Sequence, residues 1–183
     1  MKNHSLYVYD DDTFLIKNVV QFVKKGLEQQ ETVIIVATDQ HRDELKRVLM
    51  AEEQIGLWAR NVGTYNTLDA SATLALFMRN GWPDEHLFLK VIGHIIASAA
   101  GATRVRIYGE MVAVLWAEGN PLAAIHLERL WNKLGAQRDF SLLCGYPSSA
   151  FQGGDMDFAF REVCVCHSKI ESNYPSNAAA FKA

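Results

Sequence analysis

Short apolar segments with a period of two alternate along the chain with longer segments whose apolar positions recur every three or four residues. The first pattern is typical of β-strands and the second of amphipathic helices. Together they predict five strands, at residues 5–9, 32–38, 62–68, 103–108 and 140–144. The second of these contains a continuous apolar run, as expected for a strand that helices cover on both faces of a sheet.

The predicted helices fill the intervals between these strands and follow the last of them. Their ranges are 13–28, 40–54, 70–78, 83–100, 111–119, 121–135 and 156–171. Asp12, Asp39 and Asp69 each stand directly before one of these helices, where an aspartate commonly accepts hydrogen bonds from the first turn. Gly135 is placed to end the sixth helix.

The alternation of strands and helices also predicts the fold class. Strands that are joined by helical crossovers pair in parallel, and the helices then cover the sheet. We therefore expect an α/β three-layer sandwich, with a mainly parallel sheet of five or more strands and helices on both faces. Because no shift in composition divides the chain, we expect a single domain over residues 1–171, followed by a tail at 172–183.

Composition narrows the class of protein further. The net charge of -3 disfavours a protein that binds nucleic acid directly, since such proteins are usually basic. The sequence has neither the apolar core of a leader peptide nor an apolar run long enough for a membrane span. Three cysteines cannot all pair with one another, which is typical of a reducing compartment. We predict a cytoplasmic protein that does not associate with a membrane.

The candidate binding residues follow from one rule about parallel sheets, which is that ligands bind beyond the carboxyl ends of the strands. Trp116 is added to this set as an apolar wall, since such residues line pockets as well as cores. The full candidate set comprises Tyr9, Asp10, Thr38, His41, Asp69, Glu110, Trp116, Cys144 and Tyr146. This set is acidic and aromatic and contains neither lysine nor arginine.

The same edge of the sheet does not have the residues that phosphate binding needs. A phosphate loop is rich in glycine and carries a lysine, but the chain contains neither G-x-x-x-x-G-K-[ST] nor G-x-G-x-x-G. Residues 10–12 are instead three aspartates, which would repel phosphate. The chain also lacks the G-x-S-x-G elbow of the hydrolases. We therefore expect no catalytic activity and no cofactor.

Simpler roles compete with binding at several of these positions. Capping alone explains Asp39 and Asp69, and Glu110 is compatible with a solvated charge at a helix start. Within Cys164-x-Cys166-His167, only the first and last residues share a helix face, and two ligands are too few for a zinc site. The sequence thus predicts no metal site. His4 precedes the first strand and is expected at the opposite edge of the sheet.

One stretch of sequence resembles a known family. The matching residues are Gly109-Glu110-Met111-Val112, Leu115-Trp116, Gly119-Asn120, Leu127-Glu128, Leu130-Trp131-Asn132 and Leu142-Leu143-Cys144-Gly145-Tyr146-Pro147. They resemble the MEDS domain, the methanogen/methylotroph sensory domain first recognised in a dichloromethane-responsive repressor. His4, Tyr7, Tyr9, His41, Asp69-Ala70, Phe77-Met78 and His167 are similar to that family too. The resemblance covers roughly residues 3 to 171.

The resemblance implies a fold related to the RecA- and KaiC-type ATPases that has lost the phosphate loop, with Glu110 near the position of the Walker B acid. It also implies sensing of small organic compounds, often hydrocarbon derivatives. Members of the family occur beside histidine kinase or DNA-binding regions. This sequence carries no such region, so we expect a separate histidine kinase or transcription regulator as its partner. A homo-oligomer is compatible with the resemblance.

The sequence therefore predicts a signalling domain that senses a small organic ligand at the carboxyl ends of its strands. One alternative is a degenerate nucleotide-binding protein or an enzyme that uses Glu110 and His41. Another is an interaction module that binds no ligand and acts through the amphipathic last helix.

Overall fold

The computed structural model describes residues 3–51, 65–101, 103–152 and 156–173. The strands are β1 (His4–Tyr9), β2 (Thr32–Ala37), β3 (Tyr65–Asp69), β4 (Met78–Arg79), β5 (Trp82–Pro83), β6 (Val105–Gly109), β7 (Phe140–Pro147) and β8 (Lys169–Ser172). The helices are α1 (Asp12–Glu28), α2 (Asp39–Ala51), α3 (Ala70–Ala75), α4 (Glu85–Ala100), α5 (Met111–Ala117), α6 (Pro121–Gln137) and α7 (Met156–Cys166). A short 3-10 helix, Ser148–Phe151, follows β7.

Six of the strands form one sheet in the order β3-β2-β6-β7-β1-β8, and every neighbouring pair is parallel. The two shortest strands, β4 and β5, form a separate antiparallel hairpin. Its turn residues Asn80 and Gly81 both have positive φ angles, of 50° and 77°, which matches the right-handed twist of a hairpin. The predicted α/β class with helices on both faces of a parallel sheet is confirmed.

The sheet separates two buried clusters of side chains. Successive residues of a strand point to opposite faces, so that on β1 Leu6 and Val8 join one cluster while Tyr7 and Tyr9 join the other. Helices α1 and α2 cover the face of Tyr7 and Tyr9, which we call the α1–α2 face. Helices α3 to α7 cover the opposite face, which we call the α3–α7 face.

Several details differ from the predicted elements. The predicted helices 70–78 and 83–100 overlap the hairpin, because α3 ends at Ala75 and α4 begins only at Glu85, and the predicted strand 140–144 extends to Pro147. The N-cap of α1 is Asp11, whose carboxylate accepts from the Thr13 N–H at 2.7 Å, and Asp12 is already helical. Asp39 likewise is the first residue of α2, while the predicted cap at Asp69 is confirmed by a bond from the Ala72 N–H at 2.6 Å. Gly135 does not end α6, because it has no positive φ and the helix continues through it.

The largest difference concerns the end of the predicted domain. The predicted last helix over 156–171 stops at Cys166, and the following residues form β8 beside β1. The outer edge of β1 would otherwise expose unpaired backbone groups, and β8 pairs with them. The Ser168 N–H begins this contact by donating to the His4 carbonyl at 2.8 Å. The predicted strand at 62–68 corresponds to β3, but its residues before 65 lie outside the described part.

Among the described residues, none of the helices has both the length and the apolar character that crossing a membrane requires.

Candidate functional site at the carboxyl edge of the sheet

The carboxyl ends of β1, β2 and β6 bring residues from three distant parts of the chain together. Tyr9 is the last residue of β1, Thr38 follows β2, and Glu110 follows β6. Parallel pairing of β2 with β6 places Val36 opposite Gly109, and the Glu110 N–H continues this ladder by donating to the Val36 carbonyl at 2.9 Å. The backbone of Glu110 is therefore fixed by a hydrogen bond to the sheet.

The Glu110 carboxylate is the centre of this site. Only 2% of the residue is exposed. One oxygen, Oε2, accepts from the Thr38 N–H at 2.8 Å, and the other, Oε1, accepts from the Tyr108 hydroxyl at 2.7 Å. His41 Nδ1 lies 2.6 Å from the same Oε1. A buried carboxylate is tolerated only when it is hydrogen-bonded in this way, so the neighbours hold its position tightly.

His41 connects this buried carboxylate to the surface. Its Nε2 lies 3.3 Å from Asp12 Oδ1, and the Asp12 side chain is 52% exposed. Burial lowers the pKa of His41, but the hydrogen bonds and charges of Glu110 and Asp12 outweigh burial and raise the pKa above its ordinary value. The protonated imidazole is therefore favoured, with one N–H directed to each carboxylate.

Two tyrosines complete the buried part of the site. Burial raises the pKa of Tyr9 and of Tyr108, and the nearby negative charge of Glu110 raises both further. Both phenols therefore stay neutral at physiological pH, so the Tyr108 hydroxyl remains a hydrogen-bond donor. We call Tyr9, Asp12, His41, Tyr108 and Glu110 together the carboxyl-edge site.

A cleft of about 850 Å³ adjoins this site between α1 and α2. Asp12, which contacts His41, is one of its lining residues, and Ile16, Val20 and Val48 supply apolar surface. A molecule in this cleft would therefore meet apolar side chains along the helices and a carboxylate at their beginning. Apolar walls with few polar groups are typical of small-molecule sites.

The other predicted site residues do not contact Glu110 or His41, although Asp10 and Asp69 lie at the same edge of the sheet, at the ends of β1 and β3. Asp10 accepts a hydrogen bond from the Ser148 hydroxyl at 2.6 Å, and Asp69 caps α3. The Trp116 indole donates to the Ala150 carbonyl at 2.7 Å and packs against Tyr146. Cys144 and Tyr146 belong to the α3–α7 face. The structure thus brings Tyr9, Thr38, His41 and Glu110 together but separates them from Cys144 and Tyr146 by the thickness of the sheet.

Cys144 and Tyr146 instead belong to a second polar cluster, which is centred on Glu128 of α6 and which we call the Glu128 cluster. His4, at the start of β1, approaches the Glu128 Oε2 with its Nε2 at 3.2 Å. Cys144 Sγ lies 3.5 Å from that oxygen, and the Tyr146 hydroxyl donates to Oε1 at 3.0 Å. His167, between α7 and β8, places its Nε2 3.6 Å from Oε1.

The ionisation of this cluster follows from its burial. Burial opposes the charge of Glu128, but His167, His4 and the Tyr146 hydroxyl outweigh burial and lower the pKa of this carboxyl. Burial lowers the pKa of His167, and burial together with Glu128 raises the pKa of Cys144 and of Tyr146. The lowered pKa favours an ionised Glu128 carboxylate, which positive charge on a neighbouring group stabilises.

Sequence reasoning missed Glu128. The prediction that His4 lies at the edge opposite the carboxyl ends is confirmed, because His4 is the first residue of β1. One signal was available for Glu128. This residue lies three positions before Trp131 and four after Ala124, on the apolar face of α6. A carboxylate on an inward face requires polar partners, but those partners come from other elements, namely β1, β7 and the connection between α7 and β8.

The fold and these two polar clusters define the chain as an α/β domain with an acid–imidazole pair buried at the carboxyl edge of a parallel sheet. A family model described as the methanogen/methylotroph, DcmR sensory domain matches residues 3–168. The chain belongs to this MEDS family of sensory domains, which confirms the resemblance of the sequence. None of the curated proteins matches it.

Proposed function

We propose that this sensory domain binds a small organic ligand at the carboxyl-edge site and transmits the binding to a partner protein. The observation that carries the proposal is the continuous chain of contacts from buried Glu110 through His41 to half-exposed Asp12. These three residues belong to the exit of β6, to α2 and to α1. A ligand at the exposed end would therefore affect three elements.

The coupling follows from what the contacts require. A ligand that hydrogen-bonds to Asp12 competes with His41 for that carboxylate, and His41 is held at 2.6 Å by Glu110. A change in one contact therefore alters how α1 and α2 meet the sheet. Since a ligand shifts a conformational equilibrium only through its different affinity for the two states, the ligand would favour one arrangement of these helices.

The chemistry of the cleft favours a small, largely apolar and uncharged ligand. Ile16, Val20 and Val48 line the cleft, and Asp12, Asp43 and Glu44 surround it with negative charge. Lys17 and Arg47 also line the cleft, and Arg47 pairs with Glu44, so the three carboxylates exceed the cations by one charge. This small excess disfavours phosphates and other anions. Hydrocarbon derivatives with one hydrogen-bonding group have the chemistry that such a surface accepts.

We further propose that the site binds without catalysing a reaction. Each oxygen of Glu110 already accepts a hydrogen bond, and the Tyr108 hydroxyl and His41 share Oε1. Three of the roughly four lone-pair positions of this carboxylate are therefore occupied, which leaves little access for a substrate proton. The rival function is a degenerate nucleotide-dependent activity of Glu110 and His41. The observation in its favour is the buried acid–imidazole pair that these two residues form.

The output of the domain would be contact with a separate histidine kinase or transcription regulator in the cytoplasm. Helix α7 exposes Phe158 and Val165, which makes this helix one surface that such a partner could contact. A homo-oligomer remains a further candidate arrangement.

The proposal is tested by thermal-shift and calorimetric titration of the full chain against small alcohols, halogenated alkanes, amines and nucleotides. We expect an organic compound to raise the melting temperature of the wild-type protein and of His94→Gln, which changes an exposed histidine of α4. His41→Gln should bind the same compound at least several-fold more weakly, because the contact between α2 and Asp12 is altered.

Two results would contradict the proposal. One is stabilisation by Mg²⁺-ATP and by none of the organic compounds, since a compound stabilises the folded protein only if it binds to it. The other is hydrolysis of a nucleoside triphosphate by the pure protein that is lost in Glu110→Gln while the circular dichroism spectrum is unchanged. Either result would favour the nucleotide-dependent alternative.

A further inference from the structure

The Glu128 cluster has the composition of a metal-binding site. Its four possible ligand atoms are two imidazole nitrogens, a thiol sulfur and a carboxylate oxygen, and they all lie within 4.8 Å of one another. His4 and Glu128 are fully buried, Cys144 is 0% exposed, and the His167 side chain is 0% exposed. The residues come from β1, α6, β7 and the connection between α7 and β8.

The spacing of these atoms suits a tetrahedral ion. An ion about 2.0–2.3 Å from each ligand holds neighbouring ligand atoms roughly 3.3–3.8 Å apart. His4 Nε2 lies 3.2 Å from Glu128 Oε2 and 3.4 Å from Cys144 Sγ. Cys144 Sγ lies 3.5 Å from Oε2, and His167 Nε2 lies 3.6 Å from Oε1. Ligands therefore need only small movements to surround one ion.

The outer hydrogen bonds fix both imidazoles in the form that binds a metal. His167 Nδ1 lies 2.7 Å from the Val163 carbonyl, which only accepts, so Nδ1 carries the proton and donates. Asn132 donates from its Nδ2 to the Cys166 carbonyl at 2.8 Å, which turns its Oδ1 towards His4 Nδ1 at 3.3 Å. In both rings Nε2 is left to face Glu128. Such outer partners are typical of metal-bound histidines.

One atom in this cluster lacks the partner that a purely structural network would give it. His167 Nε2 is buried and has no hydrogen-bond partner among the described residues. It lies 3.6 Å from Glu128 Oε1, which is beyond hydrogen-bond distance. A metal ion between the two atoms would give both of them a partner.

Charge balance selects the type of ion. A carboxylate and a thiolate together neutralise a divalent ion, and two neutral imidazoles add no charge. This balance permits a buried ion, whereas an uncompensated charge would be costly. Mixed nitrogen, sulfur and oxygen ligands are typical of zinc, while calcium and magnesium prefer oxygen alone.

We propose that His4, Glu128, Cys144 and His167 bind one Zn²⁺ ion in a closed tetrahedral site. Four protein ligands leave no open position for a substrate, so the ion is structural. It connects the first strand to the segment that leads into β8, residues that are more than 160 positions apart. Binding releases the thiol proton of Cys144 to the solvent, as metal binding to cysteine requires.

This site is separate from the carboxyl-edge site, because the two lie on opposite faces of the sheet. Loss of zinc therefore leaves the ligand proposal standing, and failure of the ligand proposal leaves the zinc proposal standing. The two are measured by different quantities, which are metal content for one and organic-ligand affinity for the other.

The test measures metal in the full chain. Protein purified without chelator, or refolded with Zn²⁺, should contain close to one zinc ion per chain by mass spectrometry of the metal. Replacement by Co²⁺ should produce the visible absorption of tetrahedral cobalt and a sulfur-to-cobalt charge-transfer band. Cys144→Ser should abolish that band, while Cys164→Ser and Cys166→Ser should keep it. Asn132→Leu should lower zinc affinity about 10–100-fold by removing an outer hydrogen bond.

Wild-type protein provides a measurement that does not depend on how the variants fold. Removal of the metal with a chelator during refolding should lower the melting temperature, and added Zn²⁺ should restore it. The proposal is overturned if refolded wild-type protein takes up no zinc and its melting temperature does not respond to zinc. It is also overturned if metal content follows Cys164 or Cys166 while Cys144→Ser, folded by circular dichroism, retains the ion.

Discussion

At the scale of single residues, two buried carboxylates determine the polar interior, and each is satisfied by imidazole and hydroxyl groups. Glu110 has His41 and Tyr108, while Glu128 has His4 and Tyr146. Burying either charge without partners would cost several kcal/mol. The position of Glu110 after a buried strand predicted its importance, whereas Glu128 is one residue of a long helix and gave no comparable local pattern.

The contact of His41 predicts a dependence of stability on pH. Folding raises the pKa of His41 above its unfolded value of about 6.5. The stabilisation is therefore fully present below about pH 6.5 and is lost as the pH rises through the folded pKa. A hydrogen bond to a charged group contributes about 1.5–3 kcal/mol and a neutral one about 0.5–1.5 kcal/mol.

The measurement is the free energy of unfolding by urea for the wild type and for His41→Gln, from about pH 5.5 to about pH 9. We expect the difference between the two proteins to be largest at the acidic end and to shrink towards the alkaline end. His94→Gln, on the exposed face of α4, serves as the control for replacing a histidine by glutamine. A His41→Gln difference that does not change with pH would refute this assignment of charge.

At the scale of elements, the close approach of β6 and β7 holds Tyr108 in place. A Cβ atom on Gly145 of β7 would lie 2.7 Å from the Tyr108 hydroxyl oxygen, closer than atoms normally approach. That hydroxyl also donates to Glu110 at 2.7 Å and is fully buried. The glycine is therefore needed for packing between neighbouring strands. It leaves space for the Tyr108 hydroxyl that donates to Glu110 in the carboxyl-edge site.

Gly145→Ala should consequently destabilise the protein by about 1–3 kcal/mol, the usual cost of adding a group to a packed interior. The matched control is Gly109→Ala in β6, where the nearest atom to an added Cβ is Leu142 Cδ1 at 3.9 Å, an ordinary contact. Urea unfolding of both variants measures the difference. Equal stability of the two variants would show that Tyr108 moves aside at no cost.

The element boundaries show what local pattern predicts well. Helices and strands with long apolar stripes were found in the right places, because their period is visible in consecutive residues. The end of α7 and the existence of β8 were not, because Lys169–Ser172 is short and only partly buried. This segment forms a strand where the edge of β1 is available to pair with it.

At the scale of the whole molecule, the order of the strands determines which strands separate from the sheet most easily. Strands β6 and β7 lie in the middle of the sheet, each between two parallel neighbours and with buried side chains on both faces. Strand β8 lies at one edge, pairs with β1 alone and is exposed or half-buried along its length. The least costly local opening is therefore separation of β8 from the sheet.

Native-state hydrogen exchange should reflect this order. We expect the amides of β6 and β7 to exchange only through global unfolding, and those of β8 to exchange faster by orders of magnitude. Mass spectrometry of exchanged peptides measures both sets in one sample, with β3, the opposite edge strand, as an internal comparison. Protection of β8 as strong as that of β6 would contradict this picture.

The sequence by itself determined the α/β class, the limits of most helices and strands, and the place of Tyr9, His41 and Glu110 at one edge of a parallel sheet. These properties follow from periodicity and from the rule that parallel strands share a carboxyl edge, both of which are local. Only the tertiary structure decided which side chains meet across the sheet. The Glu128 cluster joins residues 4, 128, 144 and 167 because strand order, side-chain alternation and the addition of β8 act together, and no local pattern encodes that combination.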